Sequence, residues 1–393
     1  MNNNNLSRRS WLRSSLVLAS GAAVTPAVFG SSSLAADPSK LWSEQSRLKE
    51  FDYQLPPILA PNVIRLNANE NPFGPSAKAR LAVIESAING NRYAHGESMK
   101  LKKMIAEKEG VSEDYIMMGP GSTDLLEKVA ITHFLEGGNI VSADPAYMSL
   151  VNTAKAFKAT WKNVPLKKDW SHDTQAMEKA IDANTKLIYV CNPNNPTGSI
   201  TDAKELRAFC SKAADKAPVF VDEAYLDYLD NPMASSMVDL VAKGKNVIVA
   251  RTFSKIHGMA GLRIGYIVAQ PKTLEKIDSM VRGNMGMCIT SVMGAIASME
   301  DKEFHERSRK LTTEGRQFIC DELKKQGFNY VPSYTSFVLF PIEMNGKDFL
   351  KKMMDSGVAV RSFEIDAKTY CRVSVGLPDE LKLFTDSLKK VLA

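Results

Sequence analysis

Amphipathic stretches alternate with short apolar runs from about residue 76 onward. Apolar positions at helical spacing predict helices over 76–89, 97–109, 122–136, 146–157, 173–183, 202–215 and 271–282. Short apolar runs predict strands over 115–118, 139–143, 160–164, 186–191, 218–222, 246–251 and 264–269. Such alternation is typical of an α/β fold, in which helices cover both faces of a mostly parallel sheet.

The pattern changes after residue 286. A long helical region over 287–327 leads to strand-like segments at 328–340, 358–361 and 370–375 and to helix-like segments at 346–356 and 379–391. The sequence therefore predicts a large α/β domain over 76–285 and a smaller α+β domain over 286–393. An irregular arm over 37–75 precedes them.

Polar segments follow three of the predicted strands. They are Gly119–Asp124, Asn192–Gly198 and Asp222–Tyr225, and the first of them opens a helix-like stretch. In an open parallel sheet the carboxyl ends of the strands lie at one edge, and ligands bind there. We therefore expect these segments to contribute to one binding site.

A lysine follows the strand-like run Val247–Ala250. Lys255 is succeeded by a glycine-rich stretch, and Arg263 lies eight residues further on. A lysine held in a dry pocket has a lowered pKa, and its neutral amine can attack a carbonyl. Nearby hydroxyls and a guanidinium suit a phosphate. These features indicate pyridoxal 5'-phosphate, an aldehyde cofactor with a phosphate group. A surface lysine at a strand end is the alternative, and the three polar segments argue against it.

Composition excludes several classes of protein. With 44% hydrophobic and 24% charged residues, the chain resembles an ordinary globular protein. No apolar stretch reaches the roughly 18–20 residues of a membrane-spanning helix. The net charge of +6 includes no basic tract, so we expect no nucleic-acid partner. The five histidines lack metal-binding spacing, so we expect no metal site.

The first 36 residues have the layout of an export signal. Paired arginines, Arg8 and Arg9, precede an uncharged stretch over 14–29, and a small-residue cleavage site ends at Ala35 or Ala36. The pair resembles a twin-arginine signal. We expect residues 1–36 to direct the protein through the twin-arginine machinery to the bacterial periplasm. If they form only an N-terminal extension, a cytoplasmic location follows.

Nine motifs, in this order and spacing, resemble one known family. The motifs are LNANENPFGPS at 66–76, NRY at 91–93, GPGSTD at 119–124, DPAY at 144–147, NPNNPTG at 192–198, VDEAY at 221–225, TFSK at 252–255, GLRIGY at 261–266 and RVSVG at 372–376. Through this set the chain is similar to class I/II aminotransferases of fold type I, in the histidinol-phosphate aminotransferase branch. The resemblance implies an aspartate aminotransferase-like fold and a ping-pong transfer of an amino group from an L-amino acid, or a similar amine, to a 2-oxo acid.

The resemblance also implies roles for individual residues. Lys255 binds pyridoxal 5'-phosphate and moves a proton during catalysis, and Asp222 pairs with the ring nitrogen. Asn195 and Tyr225 donate to the ring's phenolic oxygen. Tyr147 stacks on the ring, with a core tyrosine as the alternative.

Phosphate binding is implied at the start of the 122–136 helix. The residues expected there are Gly121, Ser122, Thr123, Ser254 and Arg263. Tyr93 is expected to reach the phosphate of the partner subunit's cofactor, which implies a homodimer with shared active sites.

Substrate binding is implied for Arg372, which would hold a carboxylate, and for Arg361, Asn67 and Asn195. Two positions depart from the family pattern: Ser336 precedes Phe337 where asparagine is common, and Ala94 follows Tyr93. Both lie near the expected entrance for the substrate side chain, so the amino donor stays open.

Two other functions are compatible with parts of this pattern. One is a decarboxylase or lyase with the same cofactor and fold, similar to threonine-phosphate decarboxylase. The other is a cofactor-binding regulator or an inactive scaffold. The presence of Lys255, Asp222, Asn195 and Arg372 together favours an enzyme.

Overall fold

The computed structural model describes residues 63–281 and 286–392. The expected export signal and most of the arm lie outside the described residues. Within these ranges, no helix is long and apolar enough to cross a membrane.

A seven-stranded sheet forms the centre of the described chain. Its spatial order is β2-β8-β7-β6-β5-β3-β4. The bounds are Ile116–Gly119 (β2), Asn139–Asp144 (β3), Thr160–Pro165 (β4), Thr185–Cys191 (β5), Val219–Asp222 (β6), Val247–Thr252 (β7) and Gly265–Val268 (β8). Strands β3 to β7 pair in parallel, and only β8 runs antiparallel to its neighbours β7 and β2. The predicted mostly parallel sheet is confirmed.

The inner strands are apolar because both faces of the sheet are covered. Strands β6 and β7 are buried along their whole length. The helices that accompany the sheet are Ala77–Ser86 (α1), His95–Glu109 (α2), Ser122–Phe134 (α3), Ser149–Ala156 (α4), Thr174–Ala180 (α5), Ala203–Ala213 (α6), Pro232–Ser235 (α7), Val238–Ala242 (α8) and Pro271–Met280 (α9). Parallel strands buried on both faces read as continuous apolar runs, which is why the sequence located them well.

The predicted helical region over 287–327 is two helices, Ile289–Met299 (α10) and Lys302–Lys325 (α11). Asp301 separates them, and its side chain accepts a hydrogen bond from the Phe304 amide, which caps α11. Helix α10 packs against α1 and α2, and its Gly294 lies close to Val83. The boundary expected at 286 stays a prediction.

A second, three-stranded antiparallel sheet follows in the order β11-β12-β9. Its strands are Phe337–Ile342 (β9), Arg361–Ile365 (β11) and Lys368–Ser374 (β12). Helices Gly346–Asp355 (α12) and Pro378–Leu392 (α13) accompany it, and the short strands Ile64–Arg65 (β1) and Val358–Ala359 (β10) pair in parallel. This arrangement is α+β, as predicted, and together the two sheets form the expected aspartate aminotransferase-like fold of type I.

Candidate active site

A cavity of about 610 Å³ lies at the carboxyl ends of β5, β6 and β7. Residues from both sheets line it. The larger sheet and its loops contribute Ser122, Thr123, Tyr147, Asn195, Asp222, Tyr225, Ser254, Lys255 and Arg263, and the smaller sheet contributes Arg361, Phe363 and Arg372. The three polar segments predicted to share one site do meet here.

Lys255 lies three residues beyond the end of β7. Its Nζ donates a hydrogen bond of 3.0 Å to the backbone oxygen of Asn69. Burial, reinforced by the positive charge of Arg372, lowers the pKa of the Lys255 amine to about 8. At pH 7 roughly a tenth of this amine is therefore neutral and nucleophilic, compared with less than about a thousandth for an ordinary lysine.

Asp222 is the last residue of β6 and is buried. Its carboxylate accepts hydrogen bonds from the Ala224 amide at 3.1 Å and from the Tyr189 hydroxyl at 3.3 Å. Burial raises the pKa of Asp222 to about 6, and these two bonds oppose that rise. A carboxylate in this position suits a protonated ring nitrogen as its partner.

An anion-binding cradle surrounds the start of α3. Backbone N–H groups in the first turn of a helix have no acceptor within it and attract anions. Arg263 lies beside this turn, and its Nη1 contacts Ser254 Oγ at 3.4 Å. Gly121 has a φ of 92°, and a Cβ there would lie 2.1 Å from an Arg263 guanidinium nitrogen. Only glycine at position 121 leaves room for the Arg263 guanidinium beside the first turn of α3. The backbone N–H groups of that turn and this guanidinium together fit a phosphate group.

Arg372 on β12 is buried and faces the cavity from the smaller sheet. Its Nη1 donates to Asn195 Oδ1 at 2.6 Å and its Nη2 to the Asn67 backbone oxygen at 3.0 Å. Rings of Phe337 and Phe363 each lie 5.2 Å from its guanidinium carbon. Burial lowers the pKa of Arg372 to about 10, so the side chain is still cationic at neutral pH and can bind a carboxylate.

The other predicted residues differ in whether they line the cavity. Tyr147 lines the cavity, with its hydroxyl 3.4 Å from Thr123 Oγ1. Arg361 also lines it, beside the Phe363 ring. Asn67 contributes its backbone oxygen to Arg372 but does not line the cavity. Tyr93 is 80% exposed and lies outside the cavity wall of this subunit.

Sequence reasoning missed three contributors to the site. Asn69 contacts Lys255 and Tyr225, Tyr189 contacts Asp222, and Phe363 flanks Arg372. Only Tyr189 carried a usable signal, since a hydroxyl inside the apolar strand β5 requires a partner when buried.

Comparison with known proteins identifies the family of this chain. The family Aminotransferase class I and II matches residues 61–387. A histidinol-phosphate aminotransferase from Caldicellulosiruptor saccharolyticus is 34% identical over 84% of this chain and 92% of its own length. The solved histidinol-phosphate aminotransferase from Sinorhizobium meliloti, in complex with pyridoxal-5'-phosphate, has a TM-score of 0.78 and 25% identity, covering 92% of this chain and 99% of that one.

The chain therefore belongs to the class I and II aminotransferase family. It is an aminotransferase that depends on pyridoxal 5'-phosphate. A solved L-threonine-O-3-phosphate decarboxylase from Porphyromonas gingivalis also has a similar fold, with a TM-score of 0.72, but only 20% identity. That likeness concerns the fold alone, so the decarboxylase alternative is not favoured.

Proposed function

We propose that this aminotransferase uses Lys255 as its cofactor-binding and proton-carrying residue, and that its amino donor bears an anionic group. One observation carries the proposal: Lys255, Asp222 and Arg372 line a single cavity although they come from two different sheets. A nucleophilic amine, a buried carboxylate and a guanidinium are the three groups that this chemistry requires.

Each group has a distinct task. Pyridoxal 5'-phosphate, when bound, supplies an aldehyde for covalent linkage to amines and a ring that accepts an electron pair from the substrate α-carbon. Lys255 holds this group and later carries the α-proton. Asp222 would pair as a carboxylate with the ring nitrogen, and Asn195 and Tyr225 would donate hydrogen bonds to the phenolic oxygen. Tyr147 would hold the ring by stacking.

The remaining residues of the cavity would bind anionic groups of the cofactor and of the substrates. The cofactor phosphate would be held by Gly121, Ser122, Thr123, Ser254 and Arg263. Arg372 binds the carboxylate of an amino acid or of the 2-oxo acid, and Arg361 offers a second positive charge at the cavity wall. Two arginines suit a donor that carries a carboxylate or a phosphate. Histidinol phosphate is the first donor to test, because the relatives at this level of identity are histidinol-phosphate aminotransferases.

The half-reaction tests this proposal. The loaded protein is mixed with single L-amino acids or with histidinol phosphate, and its visible spectrum is recorded. Conversion to the pyridoxamine form by one donor supports the proposal and identifies that donor. Failure with every donor contradicts it. The Lys255→Ala variant should not convert, whereas Lys272→Ala, which removes an exposed lysine of α9, should behave as the unaltered protein.

A homodimer is part of the proposal. Ile84, Ile88, Tyr93 and Met99 are large hydrophobic residues that are 55%, 84%, 80% and 64% exposed in the single subunit. They lie on α1, α2 and the segment between them. A second copy of the chain would cover them and place Tyr93 near the anion-binding cradle of the partner subunit.

Export is the last part of the proposal. The Arg8-Arg9 pair and the uncharged stretch after it support passage through the twin-arginine machinery to the periplasm. Replacing both arginines by lysine should leave the protein in the cytoplasmic fraction of bacterial cells, whereas Arg13→Lys should not. Periplasmic recovery of the double variant would contradict this route.

A further inference from the structure

Asn69 has an unusual backbone conformation at the edge of the cavity. Its φ is 53°, in the left-handed region, and the residue is 2% exposed. Non-glycine residues in this region are strained, although asparagine tolerates it better than most. Such a conformation persists only where surrounding contacts hold it.

Two of those contacts reach the reacting groups. The backbone oxygen of Asn69 accepts the 3.0 Å hydrogen bond from Lys255 Nζ, and its side-chain amide donates to the Tyr225 hydroxyl at 2.9 Å. Because the Tyr225 oxygen accepts this bond, its own proton is left to donate to another group. Both Lys255 and Tyr225 line the cavity.

Two further contacts fix Asn69 itself. Ser374, at the end of β12, accepts a 2.8 Å hydrogen bond from the Asn69 backbone N–H and donates a 3.1 Å bond to Asn69 Oδ1. The bond to Oδ1 selects the amide orientation in which Nδ2 faces Tyr225. One serine hydroxyl thereby sets both the backbone and the side chain of Asn69.

We propose that Asn69 is a positioning residue for transamination, which holds the free Lys255 amine through its carbonyl and directs the Tyr225 proton into the cavity through its amide. This inference rests on the roles proposed above for Lys255 and Tyr225. The carbonyl gives the amine a fixed position while it is not bound to the cofactor. The amide leaves the Tyr225 hydroxyl a single direction in which to donate.

Asn69→Gly tests the inference, because glycine keeps the carbonyl and adopts a positive φ without strain but removes the amide. Asn71→Gly is the matched control. Asn71 is a buried asparagine of the same segment that bonds Ile256 O and Ser308 Oγ and does not line the cavity. A merely structural effect of losing a buried asparagine should appear in both variants.

The first readout is the pH midpoint at which the bound cofactor changes its visible absorption. Without the Asn69 amide, the Tyr225 hydroxyl is no longer held toward the phenolic oxygen. Its weaker donation destabilises the phenolate, so Asn69→Gly should raise this midpoint by about one pH unit. The second readout is steady-state kinetics. Asn69→Gly should lower kcat at least about tenfold and change the donor KM by less than about threefold, since Tyr225 acts on the bound cofactor ring and not on the donor. Asn71→Gly should change neither.

A second variant tests the same inference in case Asn69→Gly does not fold. Ser374→Ala removes both bonds that fix Asn69 without touching the cavity wall, and it should move the midpoint and kcat in the same direction by less. An unchanged midpoint in both Asn69→Gly and Ser374→Ala overturns the inference, as does an equal loss in Asn71→Gly. Borohydride reduction of the unaltered loaded protein should attach the cofactor to Lys255. Attachment elsewhere would refute the proposed role of Lys255 instead, so the two failures are distinguishable.

Discussion

At the scale of single residues, the ionised state of Asp222 depends on a hydroxyl from the neighbouring strand. Burial alone favours the protonated acid, which could not pair with a protonated ring nitrogen. The Tyr189 hydroxyl and the Ala224 amide stabilise the carboxylate. The Tyr189 hydroxyl therefore supports the proposed role of Asp222 in cofactor binding, although Tyr189 does not line the cavity.

Tyr189→Phe should weaken cofactor binding. The substitution keeps the buried ring beside Phe220 but removes one donor to Asp222, so the pKa of that carboxyl rises further above its ordinary value. A rise of one pKa unit above about 6 would leave about half of the Asp222 carboxyls protonated at pH 7 instead of about a tenth, so we expect the Kd for pyridoxal 5'-phosphate to increase about twofold at pH 7 and close to tenfold below about pH 5. Titration of the apoenzyme measures it. Tyr228→Phe, at a buried tyrosine away from the cavity, is the control, and equal Kd values for both variants would contradict the role of Tyr189.

The lowered pKa of Lys255 predicts a pH dependence for cofactor uptake. Only the neutral amine attacks the aldehyde. The rate of cofactor uptake by the apoenzyme should therefore rise with pH and level off above about pH 8, whereas with an ordinary lysine the rate would continue to rise up to about pH 10.5. Arg372→Met removes a positive charge that lowers this pKa, so its plateau should begin at higher pH. Stopped-flow absorption measures the rate. A rate that climbs steadily through pH 10 in the unaltered protein would contradict the burial argument.

The sequence motifs predicted most of the residues that line the cavity, because most of these motifs lie at or directly after the end of a predicted strand. Asn69 could not be predicted, because its four contacts join residues at least 156 positions apart and depend on how the two sheets meet. Its left-handed φ is likewise set by those contacts rather than by a local turn motif.

At the scale of elements, a buried ion pair joins the ends of β6, β7 and α2. Arg251 Nε lies 2.9 Å from the Glu223 carboxylate, and its Nη2 lies 3.4 Å from the carboxylate of Glu109. Glu223 follows Asp222, and Arg251 lies four residues before Lys255. The cluster therefore fixes the two strand ends next to Asp222 and Lys255, the proposed partners of the cofactor.

Arg251→Met should destabilise the fold strongly. Removing one partner of a buried pair typically costs about 3–5 kcal/mol, because the carboxylates are left uncompensated. Burial already raises the pKa of Glu223 to about 7, so protonation relieves this loss as pH falls. The decrease in the free energy of unfolding should accordingly be larger at pH 8 than at pH 6.

Urea denaturation at the two pH values measures this effect. Arg207→Met removes a partly exposed pair with Asp239 and should cost about 1 kcal/mol or less, with little dependence on pH over this range. A similar loss for both variants, or a larger loss for Arg251→Met at pH 6, would contradict the argument.

Element positions were predicted well where apolar runs were continuous, and less well in the smaller sheet. The strand expected from residue 328 begins at Phe337. Residues before it form only an isolated bridge, between Val331 and Leu339, and Ser333 turns back to bond the Phe337 oxygen. Hydrophobicity alone does not separate such a turn from a strand.

At the scale of the whole molecule, the proposed shared sites predict complementation between two inactive variants. Lys255→Ala lacks the amine in its own subunit, and Tyr93→Ala lacks the side chain proposed to reach the partner's site. In a mixed dimer, one of the two sites would combine intact Lys255 with intact Tyr93. Random reassortment should restore about a quarter of the unaltered activity, because half of the dimers are mixed and each has one intact site.

Activity after unfolding and refolding the two variants together measures this recovery, with each variant refolded alone as the control. Sedimentation should show dimers in all three samples. Mixed dimers that form without regaining activity would contradict a contribution of Tyr93 across the interface.

The attachment point of the cofactor decides whether this cavity is the active site. The loaded protein is reduced with borohydride and digested, and the peptide that carries the cofactor is identified by mass spectrometry. We expect a single modified residue, Lys255, and we expect the modification to disappear after brief exposure to a productive amino donor before reduction. A modified lysine elsewhere, or a stable linkage that no donor displaces, would contradict the assignment of this cavity as the active site.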